Sequence, residues 1–320
     1  MNKLHIGIVG NGSMAGERAR EFAKTPAKVT GVHARDLVKA RKLAETVGAE
    51  TFDRYEMLLD AVDAVVICLP NYLHASTAMQ ALQRGKHVLV EYPLCTSPDE
   101  LAQLREASQA SGRVLMTGNT IVHEAPFQYA STHIDRIGEV LSAASRVDYH
   151  AADVAGAWYL NPRLRGPLFS AMHYHHIEYY RRFLGEVRWV MASDQSQTDV
   201  SMGGVVMMGH DAGRTSCVQW YLSSIGAGLS RGMWLTGTHG SLSMISQVPG
   251  MSHAIWNGGE VKDTELLSDD WGIAGSCGDF LKAIDGKFDH RAALESDALT
   301  LRIGWLAGKS AETGQRIAVS

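Results

Sequence analysis

A glycine-bearing hexad, Gly10-Asn11-Gly12-Ser13-Met14-Ala15, narrows the folds open to this chain more than any other stretch. It lies between a short apolar run, His5 to Val9, and a helical stretch from Gly16 to Lys24. A strand, a turn of the form G-x-G-x-x-G/A and a helix, in that order, is the dinucleotide-binding fingerprint of a βαβ unit. Gly10 permits the tight turn, Gly12 lets the backbone approach a pyrophosphate, and Ala15 is small enough for the helix to lie close on the strand. Phosphates then sit at a helix N-terminus, where free N–H groups and the helix dipole favour negative charge. The spacing predicts a cofactor site over Gly10, Gly12, Ser13 and Met14.

Strand and helix go on alternating through the first 120 residues. Strand candidates at Val29 to His33, Ala64 to Leu69, His87 to Val90 and Val114 to Thr117 are separated by helical stretches at Leu37 to Val47, after Pro70-Asn71 to Arg84, and at about Pro98 to Ala110. Asp36 and Gly48 cap the first of these helices. The continuous apolar run at Ala64 to Leu69 suits a strand buried on both faces, so the pattern predicts a doubly wound parallel sheet. The second half reads differently. Leu141 to His150, Val187 to Ser193, Gly204 to Gly209, Ser216 to Leu222, Gly232 to Gly237 and Ser241 to Ser246 read as strands with few helices among the last five. Helices are expected at Ser170 to Leu184, Trp271 to Ile284 and Leu294 to Thr313. The expected fold is α/β: a Rossmann domain over 1–120, then an α+β domain over 121–320 with a large, mostly antiparallel sheet. The length of 320 residues, at about 150 per domain, agrees with two domains.

Composition removes several classes of function. A net charge of -4 lacks the basic excess of a nucleic-acid binder. No apolar run reaches the roughly 18 residues of a membrane span. The opening Met1-Asn2-Lys3-Leu4-His5 runs straight into the first strand, so neither a signal peptide nor a location outside the cytoplasm is expected. The four cysteines, Cys68, Cys95, Cys217 and Cys277, lie far apart and read as reduced thiols.

The end of the second strand selects the cofactor. An NAD site places Asp or Glu there to bond the ribose 2′-OH. Here Ala34 takes the acidic position and Arg35 is next to it, while Asp36 reads as a helix cap. A guanidinium without a carboxylate suits the 2′-phosphate of NADP, with NAD as the alternative.

Three further motifs make the chain resemble the Gfo/Idh/MocA oxidoreductases over nearly its whole length. Val65-Val66-Ile67-Cys68-Leu69-Pro70-Asn71-Tyr72-Leu73-His74 is similar to the family's third strand and its TPN…H turn. Gly85 to Pro93 is similar to its GKHVLxEKP strand, and Gly308 to Gln315 to its C-terminal segment. The resemblance implies that Leu69, Pro70, Asn71, His74, Glu91 and Tyr92 face the cofactor, and that the second-domain sheet forms the substrate side and a homodimer or homotetramer interface. It also exposes two departures. Tyr92 stands where the family has the EKP lysine, an EYP form that resembles biliverdin reductases, with a loss of lysine similar to that of thiazolinyl imine reductases. In the family's D-x-G-x-H-x-x-D segment, Ala171 replaces the first aspartate, His175 takes the histidine's place and Glu178 the second acid's.

These departures direct attention to proton donors, since the cofactor carries the hydride. Tyr92 comes just after a strand, at the carboxyl edge where ligands of open α/β sheets bind; it either donates a proton or packs under the nicotinamide. His175 and Glu178, three apart on a helix, share a face, which lets the carboxylate orient the imidazole. His173 and His176 lie on another face. The histidines raise the thought of a metal, but their spread around the helix is awkward for one tetrahedral site, and none is expected. Asn119, Thr120 and His123 come after the last Rossmann strand, and Trp158, Tyr159 and Arg165 occupy a loop; of these His123, Asn119 and Trp158, with His176, are the substrate-contact candidates. The expectation is an NADP-dependent reductase of a C=O or C=N centre in a small molecule. A sugar or polyol dehydrogenase, a non-catalytic nucleotide sensor and an NAD-dependent glycosidase are the alternatives.

Overall fold

The computed structural model describes residues 3–151, 157–197, 200–248, 251–258, 261–267 and 271–320, which fall into two units. Residues 1–120 with 273–298 form the first, and 121–272 with 299–320 the second.

The first unit is built on six parallel strands: β1 (His5–Val9), β2 (Lys28–His33), β3 (Glu50–Phe52), β4 (Ala64–Ile67), β5 (His87–Val90) and β6 (Leu115–Thr117). Their order is β3-β2-β1-β4-β5-β6, so the winding reverses between β1 and β4. In open sheets of this kind ligands bind outside the strand carboxyl ends at that reversal. All four residues of β4 are buried, because helices cover both faces. Ile6, Ile8, Val29, Val32, Val66 and Leu89 pack with Ala15, Ala19 and Phe22 of helix Ser13–Ala23. Gly7 and Gly31 leave room for Leu58: a Cβ on Gly31 would come within 2.3 Å of its Cδ1. Strand β3 and helix Tyr55–Ala61 were not expected from the sequence, being too short for a period to show.

Residues 273–298, which sequence pattern places with the second domain, pack in the first unit. Helix Ile273–Ile284 inserts Cys277, Phe280 and Ala283 into the Rossmann core, and Phe280 meets Phe22 edge to face at 6.3 Å. Its apolar stripe fits a helix of either domain, so periodicity alone gave no address.

The second unit holds a nine-stranded sheet: β7 (Val140–Ala151), β8 (Val187–Asp194), β9 (Ser201–His210), β10 (Thr215–Ser223), β11 (Ala227–Gly237), β12 (Ser241–Val248), β13 (Met251–Gly258), β14 (Val261–Leu267) and β15 (Ile317–Ala318). The order is β14-β13-β12-β11-β7-β10-β9-β8-β15. Among the described residues every pairing is antiparallel except that of β7 with β10. One face carries Ala143, Val206, Met208, Val218 and Leu222 and packs on Ile177, Tyr180, Leu184, Ile303 and Ala307. A Cβ on Gly304 would lie 2.5 Å from Cα of Ser170, so this glycine allows the close crossing of helices His290–Thr313 and Leu168–Met172. The expected single helix Ser170 to Leu184 is instead two, Leu168–Met172 and Tyr174–Leu184, broken at His173 (φ -93°, ψ -2°).

Candidate functional site

The glycine turn has the geometry its sequence implied. Gly10 has φ +124°, and a Cβ there would lie 2.3 Å from the Cys68 carbonyl oxygen on the neighbouring strand exit. Gly12 is the N-cap of helix Ser13–Ala23, with no side-chain cap and no acidic residue in the first turn. A Cβ on Gly12 would meet nothing within 4 Å. Gly12 and Ser13 are exposed, and Met14 is half-buried. A helix end with uncapped donors, open space beside its glycine and no competing carboxylate fits a pyrophosphate.

At the end of β2, Ala34 is buried and Arg35 is exposed, without a partner among the described residues. Asp36 caps the next helix: its Oδ1 accepts from the backbone N–H groups of Val38 and Lys39, both at 3.1 Å. Asn11 donates from Nδ2 to the Asp36 carbonyl at 3.2 Å, tying this loop to the glycine turn. The acid nearest the strand end is thus occupied as a cap, and the guanidinium beside it is available.

Two turns leave the carboxyl ends of β4 and β5, which pair in parallel through Ile67 and Val90. In the first, Leu69 and Pro70 are half-buried and Asn71 is buried. His74 is buried, and both ring nitrogens face carbonyl oxygens, Nδ1 that of Pro93 at 2.8 Å and Nε2 that of Leu69 at 2.7 Å. Burial lowers its pKa, against the opposing pull of those carbonyls and of Glu91. In the second turn Tyr92 is half-buried and its peptide to Pro93 is cis. Glu91 is buried and accepts from Nε of the fully buried Arg18 at 2.6 Å. Arg18 also donates to the Gly118 carbonyl at 2.9 Å, and Gly118 must lack a side chain because a Cβ would lie 2.5 Å from Nη2. Sequence reasoning missed Arg18 because a charged residue in a surface-like helix pattern gives no sign of full burial. Burial, reinforced by Glu91, pushes the Cys68 thiol well above its ordinary pKa, so it stays protonated.

In the second unit the histidines separate by role. His173 is fully buried; its Nε2 donates to the Gly204 carbonyl at 3.0 Å, and it packs on Phe169 and Trp220. Burial pushes its pKa down to about 4. His176 is pushed down to about 3 by burial and then by electrostatic repulsion from His175, His173 and Arg231. His175 is half-buried, edge-on to Tyr174 at 5.7 Å. Glu178 is fully buried and held in an ionic node: Oε2 accepts from Arg181 at 3.0 Å and from the Thr300 hydroxyl at 2.5 Å, and Oε1 from Arg182 at 2.8 Å. The carboxylate therefore joins helix Tyr174–Leu184 to helix His290–Thr313, a role that its spacing from His175 did not reveal.

His123 lies half-buried in the turn Ile121–His123, and Trp158 half-buried in Trp158–Leu160, edge-on to Tyr159. The Asn119 N–H donates to the Thr117 carbonyl at 2.7 Å. Arg165, read from sequence as a loop residue, ends the short helix Pro162–Arg165, is buried and donates to the Tyr159 carbonyl at 3.3 Å. Beside His123, buried Glu124 accepts from Arg231 at 3.2 Å, and that guanidinium lies 4.7 Å from the Trp271 ring centre. Among the described residues no group of three or more His, Cys, Asp or Glu is placed to hold a metal ion. No described helix is long and apolar enough to cross a membrane.

Residues 4–119 match the profile of an oxidoreductase family with an NAD-binding Rossmann fold, and residues 127–243 match the GFO/IDH/MocA C-terminal domain. The chain belongs to the Gfo/Idh/MocA family. Its glycine turn is therefore part of an NAD(P)-binding domain. A family relative, a dTDP-3,4-didehydro-2,6-dideoxy-alpha-D-glucose 3-reductase of Streptomyces violaceoruber, is 37% identical over 158 residues, 47% of this chain and 46% of the relative. A D-xylose 1-dehydrogenase (NADP(+)) of Haloferax volcanii is 31% identical over 200 residues, 60% of this chain and 61% of the relative. The chain thus spans about half the length of the relatives it matches. Among solved Gfo/Idh/MocA-like structures, biliverdin reductase of Synechocystis sp. PCC 6803, with biliverdin and NADP+, superposes with TM-score 0.85 at 20% identity, covering 97% of this chain and 99% of that one. A 3-ketoreductase of Actinomadura kijaniata with NADP and TDP-benzene gives 0.83 at 23%, covering 98% of each. At these identities the superpositions establish the shared fold.

Proposed function

We propose that the chain is an NADPH-dependent reductase of a C=O or C=N group in a small molecule. The reading is carried by the pairing of an uncapped glycine-turn helix with an Arg35 that has no partner among the described residues, beside an Asp36 already used as a cap. Gly10, Gly12, Ser13 and Met14 hold the pyrophosphate, and Arg35 the 2′-phosphate. Leu69, Pro70, Asn71 and the Glu91–Tyr92 turn line the nicotinamide end. When bound, the dinucleotide supplies a hydride to the substrate carbon. Tyr92 or His175 then donates a proton to the oxygen or nitrogen anion left behind; a phenol of ordinary pKa about 10 and an imidazole of about 6.5 both serve this role when positioned. Glu178 acts as a positioning residue by fixing the helix that carries His175. Asn119, His123, Trp158 and His176 contact substrate. A ketosugar nucleotide or a linear tetrapyrrole, the ligand chemistries of the relatives, are the first substrates to try. Tyr92 in place of the family lysine weighs against an ordinary polyol dehydrogenase.

The test has two arms. NADPH and NADH binding is titrated by fluorescence, and Arg35→Ala is expected to weaken NADPH alone by about 10- to 100-fold, the worth of a charge-assisted hydrogen bond. Tyr92→Phe and His175→Ala are then assayed on ketones, imines and tetrapyrroles with NADPH affinity measured separately. Tighter binding of NADH, or unchanged turnover in both variants, refutes the assignment. We further propose that the sheet face bearing Met191 and Met207, 48% and 44% exposed, forms a homo-oligomer, which sedimentation checks.

A further inference from the structure

The turns after β4 and β5 are tied together by one side chain. His74, 1% exposed, has a ring nitrogen within hydrogen-bond distance of a carbonyl in each: Leu69 at 2.7 Å and Pro93 at 2.8 Å. Carbonyl oxygens only accept, so the ring must donate, and a residue that merely filled this space would need no polar atoms at all. Buried polar groups are expensive unless paired, and a neutral imidazole has a single N–H, so the ring donates to one of the two carbonyls at a time, its tautomer setting which turn it holds. The other end of the second turn is equally fixed, since Glu91 is held by fully buried Arg18 at 2.6 Å. Tyr92 therefore sits between two neighbours, each fastened from beneath by a different element: Glu91 to helix Ser13–Ala23 of the glycine turn, and Pro93 to the start of helix His74–Gln83.

Building on the reductase reading of Tyr92, we propose that His74 is a positioning residue for that phenol, setting the spacing between the Leu69–Asn71 and Glu91–Pro93 turns rather than contacting the cofactor. A misplacement of about 1 Å in a reacting group costs as much as a hundredfold in rate. His74→Phe fills the site without donors, and His74→Gln restores an amide with two N–H groups. His74→Phe should lower kcat by roughly 10- to 100-fold while KM and the NADPH dissociation constant stay within about threefold, and His74→Gln should recover part of the loss. Hydrogen exchange supplies a readout independent of turnover: amides over residues 91–95 should exchange at least about tenfold faster in His74→Phe, with those of the glycine turn unchanged. In the wild type, NMR should find a slowly exchanging His74 ring N–H with scalar coupling to the Leu69 or Pro93 carbonyl carbon. Absence of that coupling overturns the proposal even if His74→Phe does not fold, and so does unchanged exchange over 91–95. Exchange that responds while kcat does not would also overturn it, leaving a purely structural tie. A wild type that reduces no substrate refutes the reductase reading and with it the assigned purpose, whereas the exchange data still report whether the tie exists.

Discussion

Replacing His173 by phenylalanine should make the protein less stable at neutral pH and much less sensitive to acid. The imidazole is fully buried, donates to the Gly204 carbonyl at 3.0 Å and has its pKa pushed down to about 4. An unfolded histidine titrates near 6.5, so between the two values the unfolded chain binds the extra proton. The contribution to stability is therefore complete above about pH 6.5 and is lost as pH falls toward 4. At pH 5 the lowered value costs about 2 kcal/mol relative to neutral pH, at 1.36 kcal/mol per unit. Phenylalanine keeps the packing against Phe169 and Trp220 but leaves the Gly204 carbonyl without its donor, about 1–3 kcal/mol at any pH. Removing His173 also relieves its repulsion of His176, which reduces the acid penalty further. Urea unfolding at pH 7 and pH 5, tracked by tryptophan fluorescence, measures both numbers. The wild type should lose about 2 kcal/mol more than the variant between the two pH values. Equal losses would refute the claim that His173 is held neutral by burial.

Gly10→Ala forces a side chain at φ +124° into the Cys68 carbonyl and should cost several kcal/mol, about 3 or more, in thermal or urea unfolding. Gly12→Ala meets nothing within 4 Å, so calorimetry should find stability within about 1 kcal/mol and NADPH affinity reduced about tenfold or more. Phe280→Ala removes the edge-to-face partner of Phe22 and should cost about 3–5 kcal/mol, with faster hydrogen exchange in β1 and helix Ser13–Ala23. Glu178→Gln takes the carboxylate shared by Arg181, which keeps Glu186, and half-exposed Arg182, and should cost about 1–3 kcal/mol in urea unfolding.

Much of the first unit was legible because its signals are local. The apolar runs, the glycine turn and the Asp36 cap each act within a few residues, and each appears where the sequence puts it. The same locality hid the rest. Helical periodicity continues across His173, so the break there, stabilised by a hydrogen bond to a strand 31 residues away, left no trace in the pattern. Glu178 lies three residues from both His175 and Arg181 and four from Arg182; spacing treats these partners alike, whereas a buried carboxylate is stabilised most by permanent cations. Arg18 reads as solvent-facing until Glu91 and Gly118, brought up by distant strands, enclose it. The assignments made by resemblance to Leu69, Pro70 and Asn71 rested on motif position, and nothing in those residue types announces that His74 holds the turn from behind.

The return of residues 273–298 to the first unit bears on how the protein is made. A ribosome finishes the six strands by residue 120, yet Cys277 and Phe280 are not synthesised until the chain is more than 150 residues longer. At about 5–20 residues per second, the nascent nucleotide-binding half waits roughly 8–30 seconds with that side of its core uncovered. The speed of translation through the intervening sheet therefore sets how long the half made first stays incomplete.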